Sequence, residues 1–520
     1  MKIPFQRLLI TVLLLGWGFD LLFWKASLGL NVPLFVLLIL TGGYAVFRRT
    51  ELTPARASLF LIGPLVFFSL GTVFRAEPLS RGLGFAATVL FMVLLAETYR
   101  GGRWIHYGVM DHLSNGLDLV ASVLVRSVEQ FWTWRKTPKE TAQTVNIPYG
   151  AIARGLIIAI PVVGIFTALL TSADPVFYDR VVNIFDLFSF DNFYEYVLRL
   201  FLILAVAFGL MGVLIHAGLM SEDKKLFSER DALIPPFLGF IETTIVLTSV
   251  VLLFAAFVSV QFQYFFGGVE NIGVEGWTYS SYARRGFSEL VTVGAISLAM
   301  VMGFSTLSKR ENELQKRVYS ILSIAILVLV IVILISAYQR LTLAIAWHGY
   351  SRLRLYPKVF MIWMGILFAV VVALEGLRLE RYFLLAFLGT ALGFVITLNL
   401  VSVDEEIVRY NVQRARVGYH FNAQYLASLS WDALPALVDE YQATTEPDIR
   451  EGIGAAIVCL GYAESQVDPQ DWRSFTFSRW QARRAYDTIE GQLQDFKLNE
   501  SQRPPRVRTP SEVFIYCPGR

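Results

Sequence analysis

The stretch "SILSIAILVLVIVILISAY", residues 320–338, decides the fold class of this chain. It contains no charged side chain, and about 20 apolar residues are enough for an α-helix to cross a bilayer. The hydrocarbon layer offers no water to satisfy backbone N–H and C=O groups, so a run this apolar must be helical. The stretch therefore predicts a transmembrane helix.

The rest of the chain has the same character. Of its 520 residues 55% are hydrophobic and only 17% are charged, with a mean hydropathy of +0.54, whereas a soluble chain carries about a quarter charged residues. The alternation typical of outer-membrane barrels is missing. Including the stretch above, the apolar runs predict spans at 8–24, 32–47, 57–74, 82–98, 154–172, 197–217, 239–261, 288–306, 319–338, 359–376 and 382–400.

These runs predict an all-α fold, a polytopic transmembrane helix bundle of about 11 spans. An amphipathic interfacial helix and a small helical C-terminal extramembrane domain complete it. We expect a four-span unit at 1–98, a cytoplasmic interfacial segment at 99–153, a seven-span unit at 154–400 and a helical tail at 401–520. In the tail, Ser430 is predicted to cap a helix.

Lysine and arginine are unevenly distributed over the predicted loops. Alternate loops starting at the N-terminus hold 21 of these residues, and the opposite set holds 11. The positive-inside rule therefore places the N-terminus in the cytoplasm. Because the predicted number of spans, eleven, is odd, the C-terminal tail is expected outside the cytoplasm. There Cys459 and Cys517 would form a disulfide if they lie close enough.

Several classes of function lack support in the sequence. The net charge of +3 does not indicate nucleic acid binding, and two cysteines are too few for a zinc ribbon or an iron–sulfur site. Neither a P-loop nor an H-E-x-x-H motif occurs, and the five histidines lack the spacing of metal ligands. No catalytic residue, metal site or cofactor is predicted.

Polar residues cluster at one predicted side of the membrane. Charges at such depth are costly unless they pair or line water, so they indicate either ion pairs between helices or an outward-facing polar cavity that binds a ligand. The set includes Asn31, Glu77, Asp179, Glu195, Arg199, Arg340, His348, Asn399 and Asp404. The strongest candidates for the cavity are Asp20, Arg75, Asp174, Tyr279, Tyr282, Arg284, Arg285, Glu289, Arg352 and Arg354.

Five phrases of the sequence resemble one family of bacterial membrane proteins. They are "FDLLFWKASLGLN" (19–31), "LTSADPVF" (170–177), "FGGVENIGVEGWTYSSYARRGFSEL" (266–290), "RLRLYPKVFMIW" (352–363) and "RYNVQRA…YLASLSWDALPAL" (409–437). The chain resembles domain-of-unknown-function family 4173, a neighbour of family 4153. The resemblance implies a bacterial plasma-membrane protein and carries no site residues.

Three classes of function stay open at this point. The first is a transport or cell-envelope component that uses the polar cavity. The second is a membrane-embedded transferase for a lipid-linked substrate, which would use acids of the loop 173–196. The third is a sensory or assembly protein whose tail binds a protein partner. Membrane lipids are expected partners in each case, and nucleic acid is not.

Overall fold

The computed structural model describes residues 3–102, 104–107, 109–129, 193–222, 237–266, 287–379, 382–466 and 471–517, and the single positions 167, 170 and 177. Within them the chain is almost entirely helical, which confirms the predicted fold class. The helices that precede the tail are α1 (Phe5–Phe23), α2 (Asn31–Phe47), α3 (Arg56–Leu59), α4 (Ile62–Phe74), α5 (Pro78–Thr98), α6 (Val109–Ala121), α7 (Phe193–Leu219), α8 (Phe240–Phe266), α9 (Phe287–Leu307), α10 (Glu313–His348), α11 (Arg352–Gly376) and α12 (Phe383–Leu400).

Nine helical segments of this described part are long and apolar enough to cross a membrane, by their length and composition. They are α1, α3 with α4, α5 and α7 to α12. The apolar run 320–338 lies inside α10, which is 36 residues long. The apolar helix α2 is shorter, at 17 residues. The predicted span 154–172 lies outside the described residues apart from single positions. The protein is a membrane protein.

The tail forms a domain that is not purely helical. Its helices are α13 (Val403–Arg416), α14 (Ala423–Leu426), α15 (Leu434–Ala443), α16 (Pro447–Ser465) and α17 (Phe477–Asp487). The expectation of a helical tail is wrong at its end, where β1 (Lys497–Asn499), β2 (Arg506–Arg508) and β3 (Phe514–Tyr516) form an antiparallel sheet. These strands of three residues are too short to show an alternating pattern in the sequence.

The described residues divide into two compact units. The first draws on Met1–Lys25, Leu38–Glu51 and Leu119–Leu219, and the second on Ala26–Leu37, Leu52–Asp118 and Met220–Arg520. Compact packing and location in the membrane are different criteria, so the four consecutive segments expected from the sequence stay a prediction. The interfacial position of 103–150 also stays a prediction, and residues 130–150 lie outside the described part.

Small residues allow close helix packing in the first unit. A side chain at Gly16 of α1 would meet the backbone oxygen of Ile203 in α7 at 2.4 Å. A side chain at Gly212 of α7 would meet the Cα atom of Val123 at 2.3 Å. Val123 lies in a π-helical turn, Ser122–Arg126, that continues α6. Both contacts are close approaches to the backbone of a neighbouring helix, which a glycine permits.

The second unit includes the tail domain and its core. Leu437, Ile453, Ile457 and Val507 are fully buried there. A disulfide between Cys459 of α16 and Cys517 ties the end of the sheet to this core. The domain is thereby built from one continuous set of packed side chains and one covalent cross-link.

Candidate functional site: a docked C-terminal domain

Buried charges connect the tail domain to the ends of the membrane helices. Asp404, at the start of α13, is completely buried. Its carboxylate accepts hydrogen bonds from Nε and Nη2 of Arg352, the first at 2.8 Å, and from the backbone N–H (2.8 Å) and hydroxyl (2.6 Å) of Ser430. The backbone N–H of Arg352 in turn donates to the hydroxyl of Tyr425 at 2.8 Å. Two-point binding by arginine gives this pair a fixed geometry.

A second buried carboxylate, Asp432, reaches the loop between α4 and α5. It accepts the backbone N–H groups of Ala76 (3.1 and 3.2 Å) and Glu77 (2.9 Å), and it also accepts the hydroxyl of Ser478. Burial raises the pKa of Asp432, and the charge of Asp404 acts in the same direction, while the three donors oppose the rise. The predicted cap Ser430 is confirmed, because its hydroxyl accepts the N–H of Asp432.

Glu77 links the same loop to α11. Its carboxylate caps the N-terminus of α5, accepting the N–H groups of Leu79 (2.8 Å) and Ser80 (2.6 Å). The hydroxyl of Tyr356 in α11 donates to the same carboxylate. Because the first N–H groups of a helix have no partner inside it, this one side chain satisfies a helix end and holds a neighbouring helix.

The C-terminal ends of two membrane helices are satisfied in the same way. Arg75 donates to the backbone oxygens of Asn399 (2.8 Å) and Leu400, the last two residues of α12. Arg414 of α13 donates to the oxygens of Ala346 (2.8 Å) and Trp347 (3.0 Å) near the end of α10. Cations at these positions also match the negative end of the helix dipole.

We call this set of contacts the docking network: Arg75, Glu77, Arg352, Tyr356, Asp404, Arg414, Ser430, Asp432 and Ser478. It joins polar groups at one end of α4, α5, α10, α11 and α12 to the tail domain. Its members pair with one another or with helix ends. The contacts therefore support the interpretation that the polar residues predicted on one side of the membrane are pairs that hold elements together.

The sequence-predicted candidates are distributed over several places. Arg75 and Arg352 belong to the docking network, and Arg354 donates to the backbone oxygen of Gly349 at 3.0 Å. Glu289 lies in the first turn of α9. Asp20 belongs to the first unit. The others, Asp174, Tyr279, Tyr282, Arg284 and Arg285, lie outside the described residues.

Asp20 forms a separate buried ion pair in the first unit. Its carboxylate, in α1, accepts Nε (3.1 Å) and Nη2 (2.6 Å) of Arg199 in α7. One turn away, Glu195 accepts the indole N–H of Trp24 at 2.8 Å and pairs with Lys25 at 2.7 Å. These contacts fix the register of α1 against α7. Among the described residues, the candidate Asp20 is thus brought together with Arg199 and not with the other cavity candidates.

The tail domain carries a cleft of about 600 Å³. Its lining includes the apolar side chains of Val458, Leu493 and Phe496 and the aromatic rings of Trp431, Tyr462 and Tyr486. A side chain at Gly461 would meet the ring of Tyr486 at 2.5 Å, so this glycine lets the ring lie against α16. Burial raises the pKa of Tyr486, as do the nearby carboxylates.

The rim of this cleft carries more negative than positive charge. Asp487, Glu490 and Glu500 line it together with one arginine, Arg483. A lining that combines apolar and aromatic side chains with a few charged groups is typical of a binding site. None of these residues was a sequence candidate, because residues 431, 462, 486 and 496 have no spacing that indicates a common site.

A smaller cavity of about 440 Å³ lies elsewhere in the same domain, between α14, α16 and the segment before β3. His420, Glu451 and Ser511 are among the residues that line it. The hydroxyl of Ser511 donates to Glu451, and this bond is the main reason that the pKa of Glu451 is lowered. With that carboxylate already engaged, the cavity offers fewer free polar groups than the larger cleft.

Comparison with known proteins identifies the family. No curated protein and no solved structure matches the chain. The model of the family Domain of unknown function (DUF4153) matches residues 62–440, which contain the ends of α4 and α5 together with Asp404 and Asp432. The resemblance to this group of families is confirmed. The chain belongs to the family DUF4153, the neighbour of family 4173 in that group.

Proposed function

We propose that this protein is a cell-envelope protein of the sensory or assembly class. Its membrane helices hold a rigid domain, and that domain binds a protein partner in its acidic cleft. The observation that carries the proposal is the docking network, in which buried carboxylates connect the domain to the helix ends. A domain held on a flexible linker would not need such contacts.

The energetics of the network favour a fixed orientation. Removing one partner of a buried ion pair costs about 3–5 kcal/mol, because the other charge is left without compensation. Separation of the domain from the helices would remove the partners of Arg352, Asp404 and Asp432 at the same time. The domain and the helix ends are therefore expected to move as one body, so that a partner bound to the domain acts on the membrane helices directly.

The chemistry of the cleft indicates the kind of partner. Three carboxylates and one guanidinium line it together with apolar and aromatic side chains. A protein segment with apolar side chains flanked by lysine or arginine complements this surface, and such charge complementarity favours specificity and fast association. The proposed partner is thus a basic, partly apolar segment of another protein.

The domain is proposed to lie outside the cytoplasm, on a bacterial plasma membrane with the N-terminus inside. The disulfide supports this placement, since such bonds persist in oxidising compartments. The contacts of the domain also support it. Loop residues near 27–30, 75–77 and 349–352, which the charge count places on one side, all contact this domain.

Site-specific photo-crosslinking in cells tests the partner-binding function. A photoreactive residue replaces Gln494 at the rim of the cleft, and the matched control replaces Gln442, an exposed residue at the end of α15. We expect a discrete protein adduct from Gln494, strongly reduced when Glu490→Gln and Glu500→Gln are added. Equal adducts from Gln442, or adducts indifferent to the two charges, would overturn the proposal.

Thiol labelling tests the side of the membrane. Ser501 is exposed in the turn after β1, so a cysteine there is accessible without disturbing the fold. A membrane-impermeant maleimide should label Ser501→Cys in intact cells and leave Arg49→Cys, an exposed position in a loop that the charge count places in the cytoplasm, unlabelled until lysis. Labelling of Ser501→Cys only after lysis would place the domain in the cytoplasm.

Transport and transfer to a lipid-linked substrate stay predictions. Transport depends on the polar cavity, whose candidates Tyr279, Tyr282, Arg284 and Arg285 lie outside the described residues, and transfer depends on Asp174 and Asp179, which also lie outside them. The described candidates Asp20, Arg75 and Arg352 bind protein groups and favour neither function. The docked domain with its cleft supports the sensory or assembly class.

A further inference from the structure

An aromatic surface projects from the segment that opens α17. Trp472 is 54% exposed, and Phe475 and Trp480 are each 40% exposed. Large aromatic side chains gathered on the surface of an extramembrane domain indicate an interaction site. We define the aromatic patch as Trp472, Phe475, Phe477 and Trp480. By helical spacing, Phe477 and Trp480 lie on a different face of α17 from Ala482 and Tyr486, which line the cleft.

The patch is located at the level where the membrane helices end. The ring of Phe477 packs edge-on against Phe74, the last residue of α4, with centroids 5.7 Å apart. Phe74 is itself half exposed and continues the apolar surface of that helix. On the other side, the backbone oxygen of Phe475 accepts the N–H of Leu30 at 3.0 Å, next to the start of α2. Both neighbours are therefore termini of apolar helices.

Helical periodicity brings two rings of the patch and a positive charge to one face of α17. Phe477, Trp480 and Arg484 are spaced at i, i+3 and i+7, which is one stripe of an α-helix. The rings of Phe477 and Trp480 stack at 5.3 Å, and the guanidinium of Arg484 lies 4.3 Å from the Trp480 ring. Within the described residues Arg484 has no carboxylate partner, and neither Trp472 nor Trp480 donates its indole N–H to a protein acceptor.

The geometry points to a phospholipid surface as the occupant of this patch. Tryptophan with an apolar ring and an N–H donor suits the boundary between acyl chains and headgroups. Arginine at the same level offers a planar donor pair that matches a phosphate. A short helix with aromatic residues on one face and basic residues beside them is the pattern of an interfacial helix. The patch thus anchors the docked domain in the headgroup layer, beside the helices that carry it.

The principal test measures depth in the bilayer. The full-length protein is spin-labelled at Trp472→Cys or Trp480→Cys and placed in nanodiscs, and the native cysteines are already paired. The control is Phe514→Cys in β3, an aromatic position of similar exposure, 43%. We expect labels at 472 and 480 to collide more with oxygen than with a water-soluble nickel complex, and the label at 514 to show the reverse. The same aqueous accessibility at all three positions would overturn the inference and would indicate that the patch binds a protein partner instead of lipid.

A second measurement tests the phosphate contact without altering the aromatic rings. The rate at which protease cleavage releases the domain is measured in nanodiscs of zwitterionic lipid. It is compared with the rate in nanodiscs of mixed zwitterionic and anionic lipid. One basic group near an anionic surface should slow release about five-fold. This slowing should disappear in Arg484→Glu and persist in Arg483→Glu, whose side chain lines the cleft. Equal slowing in both variants would refute the role of Arg484.

Discussion

Replacement of Asp404 by asparagine tests whether the docking network holds the domain in place. Asp404 is completely buried, and Arg352, its partner, keeps only 24% of its side chain exposed. Asp404→Asn keeps the shape but removes the charge, so the guanidinium stays mostly buried without a counter-charge. Breaking such a pair costs about 3–5 kcal/mol.

The same helix provides a matched control one residue away. Glu405 pairs with Arg409 at 2.9 Å, but these side chains are 40% and 47% exposed. Water screens the charges of an exposed pair, so such a pair contributes only about 0.2–1 kcal/mol to the free energy of unfolding. Glu405→Gln therefore removes a carboxylate charge from the same turn of α13 at little cost.

Thermal unfolding of the purified protein in nanodiscs distinguishes the two variants. For a domain of this size 1 kcal/mol corresponds to about 4 °C in the midpoint. We expect Asp404→Asn to lower the midpoint of the tail domain by about 12–20 °C, and Glu405→Gln by less than about 4 °C. If both variants melted at the same temperature, the buried pair would not fix the domain, and the reasoning from burial would be refuted.

Three further predictions concern other parts of the molecule. A reductant, or Cys459→Ser with Cys517→Ser, should destabilise the tail domain by about 2–5 kcal/mol; a melting curve indifferent to reductant would contradict the cross-link. Gly212→Ala should destabilise the first unit by about 1–3 kcal/mol through overpacking, whereas Gly209→Ala, which meets no atom within 4 Å, should not. Because burial raises its pKa, Asp432 stabilises the fold fully below its unfolded pKa and loses that contribution as pH rises through its folded value. The stability of the wild type relative to Asp432→Asn should therefore fall as pH is raised from acid to neutral, and a constant difference would be evidence against burial of the carboxyl.

The sequence was sufficient to predict the helices because their signal is local. The apolar run inside α10 predicts a helix from nothing more than length and the absence of charge. Ser430 was likewise predictable as a cap, since a cap depends on neighbouring residues. The strands near 497–516 were missed for the same reason, because three-residue strands in a segment rich in proline and arginine carry no periodic pattern.

The partners in the docking network could not be predicted from the sequence. The outer polar residues were identified as a group, and Glu77, Arg352 and Asp404 were among them. Which carboxylate meets which donor depends on contacts between residues far apart in the chain. Asp432 was overlooked for two reasons. An aspartate just after a helix cap is common, and its distant partners are backbone N–H groups, which no sequence pattern distinguishes.

The bond between Asp432 and the loop before α5 has a consequence for the order of assembly. Ala76 and Asp432 are separated by 356 positions. At about 5–20 residues per second, a ribosome needs roughly 20–70 s to travel that distance. During this interval α4 and α5 have been synthesised, but the N–H groups of Ala76 and Glu77 between them lack their acceptor, Asp432. The helices α4 and α5 therefore reach their final state only when the tail domain has folded onto them.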